Sequence, residues 1–544
     1  MPTLVPAASP ASVPVDRLPP APRRGLRLTA LICPAVFYLL GVFWVLAAAL
    51  PATQGHLVYA LDDTYIHMAI AKNLAAHGVF GVTSHGFVSA SSSILWPLLL
   101  AVLFKVFGPL AVIPLIAQIA IGIALLWLSW EALNRAGVTS NLYAGAVLSF
   151  LVLTLPMVPM TFVAMEHLLQ PLATLLFAMV SVRYLNASRL SLRPVLLCAV
   201  LLVAVRYEGL FLVAAVALLC LLQKKLLPAM AAAAAGWVPV TLFGLYSISH
   251  GGFFLPNSLL IKARPIGLAT LLRLRTMATD CPEVFVLALV ALLMLAFGRN
   301  AQRGSRQLLQ LFLITALLHQ MFASYRWFYR YEVYLVALGL IAASIAAWDL
   351  FANVSVWTAA ALLLLASFLV IPLFMRAYLS LTGTPRAMAD IYHQQYQMAQ
   401  FFRAYYPQGH IALNDIGAVS FYGDPYLTDL AGLGSTEIAR ARLGTLATGD
   451  LRYDFLHNAA AQAVVRNNHV EVVAVYDDWF GFQPGHLPPG WIRAGGWSAA
   501  HKTVIGGSIV SFYGIGDENA ARLQKNLAAF HPRLPWEIAV MATP

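Results

Sequence analysis

The run Leu28–Ala52, LTALICPAVFYLLGVFWVLAAALPA, carries no charged residue, and shortly after it stands Leu61-Asp62-Asp63-Thr64-Tyr65-Ile66. Roughly 20 apolar residues cross the hydrocarbon core of a bilayer, so the run is a span and the acidic pair follows at its far edge. Arg23, Arg24 and Arg27 cluster ahead of it, and basic residues collect on the cytoplasmic side of membrane proteins. The run therefore leads outward, and the segment 53–92 with its Asp-Asp pair reads as a first outer loop.

The same alternation continues along the chain. Apolar runs at 93–107, 110–131, 142–162, 168–184, 194–222, 227–248, 283–297, 308–322, 331–348 and 354–378 bring the count to about eleven spans. Of 544 residues 60% are hydrophobic and 10% charged, with a mean hydropathy of +0.75, which excludes a soluble protein with a single core. The net charge of +11 is spread in short basic clusters between apolar runs, such as Lys224 with Lys225 and Arg299, Arg303 and Arg306. That is a topology signal rather than a nucleic-acid footprint. Cys33, Cys198, Cys220 and Cys281 show neither disulfide nor metal spacing.

Three regions result. Residues 1–27, rich in Pro and Ala, read as a disordered cytoplasmic tail; 28–380 form the transmembrane region; 381–544, of mixed composition, read as a soluble extracytoplasmic α/β domain. In the last, Ile411–Leu413, Val470–Tyr476 and Val504–Tyr513 have strand character, and Met388–Tyr405 and Glu518–Phe530 helical character. One conflict stands: strict alternation leaves Arg183, Arg189 and Arg193 outside and Glu166 inside. The run 194–222 is long for one span and carries Arg206-Tyr207-Glu208-Gly209 in its middle, which predicts two half-length segments meeting at that polar point.

Two adjacent carboxylates at a membrane edge suit sugar transfer to a hydroxyl. One, Asp62 or Asp63 with Asp63 slightly favoured, takes the acceptor proton as general base; the other orients the acceptor or helps hold a divalent cation such as Mg or Mn. An isolated Asp-Asp is more often a solvated turn or helix cap. Glu166 and Glu208 fall in or beside apolar spans, where an ionisable group is functional or paired, the obvious pairs being Glu208 with Arg206 or with Arg330. His67, four residues after Asp63, shares its helical face but lacks a third metal ligand, and reads as a surface histidine. Asn73, ten residues after Asp63, falls on the same face of a surface helix. The aromatic stretch Ser324–Tyr331 reads as an interfacial belt at Trp327, with Tyr329 free to stack on a sugar.

Asp62-Asp63 with Tyr65-Ile66, the trailing Asn73 and the Ser-rich entry Ser91–Pro97 resemble the opening of bacterial glycosyltransferases of the C superfamily (GT-C), in particular arabinofuranosyltransferase-like enzymes that use polyprenyl-phosphate sugars. Met165-Glu166 with Leu168 resembles that family's Gly-(Met/Leu)-Glu element, Arg206-Tyr207-Glu208-Gly209 its Arg-Pro-Glu-Gly, and Pro256-Asn257-Ser258 with Lys262 its Pro-Asn-Thr and Lys element. Tyr329-Arg330-Tyr331 resembles its Arg-Tyr entry to a late span. Asn414–Ala418 with Asp415, and Thr428–Leu433 with Asp429, resemble its outer-domain elements. Ala164, Tyr207, Phe328 and Tyr329 depart from the pattern.

The resemblance implies a polytopic helical membrane protein of the bacterial inner membrane. It implies transfer of a sugar, with inversion, from a polyprenyl-phosphate donor to a glycan, lipid or protein acceptor outside. Lys262, Arg206, Arg326 and Arg330 are then candidate partners of the donor phosphate. Asn73, Glu166, Glu208, Asn257, Asp415 and Asp429 are candidate substrate-binding residues, a strand-end turn being the plainer reading of Asp415. Membrane lipids are partners and nucleic acid is not. Two other classes compete. A secondary transporter would use Glu166, Arg206 and Glu208 but calls for internal repeats, which the sequence does not show. A non-catalytic scaffold or sensor would bind a partner through 381–544 and tolerate loss of Asp62 and Asp63.

Overall fold

A computed structural model describes residues 26–187, 190–262, 273–298, 301–351, 356–447, 455–456, 458–483, 485–499 and 501–541. Residues 1–25 of the tail read at 1–27, together with Arg189 and Arg299, lie outside the described residues.

Most of the chain is helix, and the helices run between two ends. At one end Leu26 and Arg27 donate their backbone N–H groups to the side chains of Asn134 (3.0 Å) and Asn141 (2.8 Å), Trp348 Nε1 reaches the carbonyl of Gly137 (3.2 Å), and Lys225 Nζ reaches that of Leu185 (3.2 Å). At the other end the Ala60 N–H donates to Phe162 (3.0 Å), the Tyr59 hydroxyl to Ala111 (2.5 Å) and the Ile94 N–H to Ala204 (3.1 Å). Leu28, Ile32, Val36, Leu40 and Phe43 of the first helix stay exposed, the face a lipid solvent requires.

Among the described residues four helices are long and apolar enough to cross a membrane: Leu28–Ala49, Val112–Arg135, Leu226–Ser249 and Val333–Leu350. The pair Asn141–Thr154 and Met157–Val163, bent by 43°, makes a fifth. Leu95–Phe107, Arg193–Val205, Gly209–Leu222 and Pro282–Phe297 are apolar but shorter. Length and apolarity thus do not return the eleven spans read from the sequence.

Three of these short helices resolve the charge conflict. Leu95–Phe107 does not cross: Ile94 is tied to Ala204, and Lys105 Nζ donates to the Ala75 carbonyl (3.1 Å) in the outer helix Asp62–His77, so both its ends sit at one face. The 194–222 run is a helical hairpin, Arg193–Val205 and Gly209–Leu222, with Arg206–Glu208 at its tip and Lys225 back beside Leu185. With one crossing removed and the hairpin added, Arg183 and Arg193 join Arg135 at one end and Glu166 lies at the other.

Helix Val356–Ile391 runs uninterrupted through 380/381, passes a π turn at Tyr392–Tyr396 and continues as Gln397–Tyr405. Met388–Tyr405 is therefore not an independent helix but the outer end of a helix that begins in the bundle. Beyond it lies one six-stranded sheet: β1 His410–Leu413, β2 Tyr426–Asp429, β3 Val472–Val475, β4 Trp491–Ser498, β5 Ile509–Ile515 and β6 Ala539–Met541, in the order β2-β1-β3-β5-β4-β6. β1 pairs parallel to β2 and β3, and the other pairings are antiparallel. Side chains alternate across it: Val472 and Ala474 face the core that includes Phe402 and Leu523, whereas Val473 and Val475 face Phe455 and Ala461. Helices cover both faces, as a sheet apolar on both sides requires.

Candidate active site

Asp62 and Asp63 occupy the first turn of helix Asp62–His77, where the helix dipole favours carboxylates. Neighbouring helical residues point about 100° apart, and here they serve different neighbours. Both Asp62 oxygens accept backbone N–H groups of the C-terminal domain, from Gly417 (2.7 Å) and Ala418 (2.8 Å). A Cβ on Gly417 would lie 2.0 Å from the Asp62 carbonyl oxygen, so the contact requires glycine. Burial and the neighbouring Asp415 push the Asp62 carboxyl up to about 8, against the pull of the two N–H donors.

Asp63 turns inward and forms an ion pair with Arg330. Burial alone would raise its pKa, but the charges of Arg330 and Lys262 outweigh it and hold Asp63 below the usual carboxylate range. Arg330 is itself 2% exposed, directs Nη1 to the Met165 sulfur (3.2 Å) and lies over the Tyr331 ring at 5.1 Å. It is delivered by an unusual backbone: Arg326, Trp327, Phe328 and Tyr329 all have positive φ, between 37° and 67°, a left-handed stretch that costs roughly 1–2 kcal/mol per residue. Glu332 accepts the Arg326 N–H (3.0 Å) and Arg376 bonds the Tyr329 carbonyl, so buried partners hold the stretch at both ends.

A cavity of about 360 Å³ opens beside this pair. Asp63, His67, Arg206, Glu208, Lys262 and Arg330 give it a charged wall, and Phe211, Trp237, Leu259 and Phe322 an apolar one. The hairpin tip supplies Arg206, which grips Glu208 through Nε (3.1 Å) and Nη2 (2.6 Å) and Glu166 through Nη1 (2.5 Å). Of the two pairings expected for Glu208, that with Arg206 is the one formed. Lys262 ends the short helix Asn257–Lys262, is exposed, and makes no hydrogen bond or ion pair among the described residues. Among the described residues the cavity thus offers Lys262 as an uncommitted cation, paired charges, and an apolar flank, the mixture a phosphate on a hydrocarbon chain needs.

The remaining expectations fall elsewhere. Asn73 donates to the Gly81 carbonyl (3.0 Å) and Asn257 to that of Leu433 (3.2 Å), fastening loops rather than lining the cavity. Asp429 accepts N–H groups from Ala431 (2.8 Å) and Gly434 (2.6 Å) and shapes the turn after β2. Asp415 is held by Gln395 (2.7 Å) and Tyr476 (2.6 Å) behind Asp62. Arg326 reaches the Thr279 carbonyl (2.8 Å) and lies off the cavity. His67, read as a surface histidine, is 3% exposed: Nδ1 meets Ser91 Oγ (3.2 Å) and Nε2 stands 3.8 Å from Glu166. Its i+4 spacing from Asp63 was the signal, since that face of the helix turns inward. Tyr331, named in the sequence only as part of the Arg-Tyr element, lines the cavity and lies 5.7 Å from the Arg206 guanidinium.

A divalent cation between Asp62 and Asp63 does not fit these partners. Both oxygens of Asp62 are taken by N–H groups and Asp63 is bonded to a guanidinium. Among the described residues the His, Cys, Asp and Glu side chains close enough to share a metal are Cys281, Glu283 and Glu332, and there Arg376 already bridges the two glutamates.

Compared with solved structures, the chain is similar to ArnT from Cupriavidus metallidurans bound to undecaprenyl phosphate, at 12% identity and a TM-score of 0.50 over 88% of this chain and 98% of that one. The chain has the GT-C fold. Similarity also extends to an Archaeoglobus fulgidus oligosaccharyltransferase in complex with Zn and sulfate (12% identity, TM-score 0.43, 93% of this chain and 75% of that one). A third is the arabinofuranosyltransferase AftD from Mycobacteria (16% identity, TM-score 0.43, 91% of this chain and 40% of that one). A family model described as a domain of unknown function, DUF8728, matches residues 388–519. No curated protein matches the sequence. In this fold the helix Asp62–His77 and the hairpin tip converge on the cavity, and the C-terminal domain meets that helix at Asp62 and Lys72 and lines the cavity with Leu433.

Proposed function

We propose that the chain is an inverting glycosyltransferase that takes a sugar from a polyprenyl-phosphate donor and passes it to an acceptor hydroxyl outside the cytoplasmic membrane of a bacterium. The observation that carries this reading is the meeting of Asp63, Arg330 and Lys262 on one cavity whose other wall is apolar. Undecaprenyl phosphate bound to a protein of the same fold agrees with it.

In this reading Lys262 and Arg330 receive the donor phosphate, Lys as a point charge and Arg through a planar fork. The apolar wall of Phe211, Trp237 and Leu259 takes the first part of the polyprenyl chain. Asp63 removes the acceptor proton as the new bond to the anomeric carbon forms and the bond to the phosphate oxygen breaks, and the cations neutralise the departing phosphate. Arg206, already saturated by Glu166 and Glu208, sets the shape of the cavity. Residues 28–380 form the membrane part. Residues 381–544 form the outer part, which offers a surface to a glycan, lipid or protein acceptor.

Orientation follows from charge. Arg135, Arg183, Arg193, Lys225, Arg303 and Arg306 gather at the end away from the cavity, which favours that end in the cytoplasm. The test is transfer by purified protein in nanodiscs offered a panel of polyprenyl-phosphate sugars. Consumption of one donor by the wild type and not by Asp63→Asn supports the reading. Consumption of none, with Asp63→Asn still complementing a deletion strain, overturns it.

A further inference from the structure

A second cavity, of about 520 Å³, lies at the opposite end of the bundle. Three helices fix its position, because each has its other end at the active-site cavity. Leu169–Asn186 begins three residues after Glu166 and reaches this cavity at Leu175 to Arg183. Arg303–Phe322 lines it with Ser305 and Leu308 and ends at Phe322 beside Lys262. Val333–Phe351 starts after Tyr331 and lines it with Leu338, Ile341 and Ile345. The helix from Leu169 to Arg183 rises roughly 21 Å, most of the roughly 30 Å hydrocarbon thickness of a membrane. The two cavities therefore face opposite leaflets.

Its chemistry is graded. The depth is apolar and buried, with Leu175, Ala178, Leu308, Leu338 and Ile341 as walls. The mouth carries Arg135 and Arg183, both in the last turns of their helices. Arg183 makes no ion pair among the described residues, and Arg135 pairs with Glu131 (2.5 Å) while its side chain stays 58% exposed. Asp349, the other nearby carboxylate, is engaged by Gln302 and Ser305. Folded interiors are close-packed with few voids larger than a water, and an apolar void of this size, within the range of ligand sites, is not filled well by water.

We propose that this cavity binds an anionic phospholipid of the leaflet opposite the active site, with an acyl chain in the apolar depth and the headgroup phosphate on Arg183 and Arg135. A free polyol or nucleotide would leave the depth empty, and a zwitterionic lipid would leave Arg183 without a net anion.

The test is lipid binding by the delipidated full chain, read by native mass spectrometry. Phosphatidylglycerol, phosphatidylcholine and inorganic phosphate are offered to the wild type, to Arg135→Gln/Arg183→Gln and to Ala178→Leu. The wild type is expected to hold one phosphatidylglycerol selectively. Each lost charge is expected to weaken it about fivefold, the roughly 1 kcal/mol that a basic residue contributes near anionic lipid. Ala178→Leu, which fills the depth and leaves the charges, is expected to displace the lipid. An unchanged melting temperature in each variant separates this from misfolding. Equal retention of both lipids, phosphate binding as tight as phosphatidylglycerol, or full retention by both variants overturns the proposal.

Discussion

Arg330 and Asp63, 267 positions apart in the chain, form one ion pair at the wall of the cavity proposed as the active site. Each partner already has a use for the other before any donor arrives. A donor phosphate placed on Arg330 must therefore compete with Asp63, and Asp63 becomes a stronger base as the guanidinium is drawn away.

Asp63→Asn separates these two effects. Transfer is expected to fall by roughly 10²–10⁴, the usual contribution of a general base. Binding of undecaprenyl phosphate is expected to tighten by about tenfold, or roughly 1.4 kcal/mol, because the competitor for Arg330 is gone. Titration of the lipid phosphate in nanodiscs measures it, and weaker binding by the variant removes the competition.

The pH profile of kcat/KM reports the free enzyme. Burial pulls Asp63 up, but Arg330 and Lys262 pull it further down, so its acid limb is expected below the ordinary carboxylate range and activity should persist as pH falls through about 4. Lys262→Met removes one of the two charges and should move that limb upward. The sign for stability is the same: a depressed folded pKa contributes above the unfolded value and is lost as pH falls through the folded one.

Arg206 sits against Glu166, which is wholly buried, and Glu208. Arg206→Ala leaves a buried carboxylate without its partner and should cost about 3–5 kcal/mol, seen in denaturant titration. Glu166→Gln in the same chain should recover part of the loss. An additive double variant would show that the two side chains do not act as a pair.

Gly417→Ala tests the tie between the outer sheet and the helix of Asp62. The added methyl collides with the Asp62 backbone, so the clamp should open. The expected result is a raised acceptor KM with donor binding retained, whereas a loss of both would place Gly417 in general folding.

Legibility in the sequence followed the range of the forces. The break at Arg206–Glu208 was visible because charges inside an apolar run have few explanations, and β1 because Ile411–Leu413 is short, apolar and bounded by polar residues. Leu95–Phe107 was misread as a span because apolarity does not tell a crossing helix from one lying along the surface; only the contacts of Ile94 and Lys105 do. Val504–Tyr513 overreached, since β5 starts at Ile509 and Gly506 and Gly507 pack on Tyr476 and Trp479. The division of labour between Asp62 and Asp63 could not be read locally, because Gly417 lies 355 residues from Asp62. Asn73 and Asp429 lie off the cavity for the opposite reason: polar groups next to turns usually satisfy nearby backbone, and these bond Gly81, Ala431 and Gly434, whereas Asn257 reaches Leu433, 176 residues away.

The adjacency of Asp62 and Asp63 places one peptide link, with about 3.8 Å between its Cα atoms, between a contact of the C-terminal domain and the wall of the cavity. On the proposed reading, a displacement of the sheet would shift Asp62 and, through that link, the aim of Asp63.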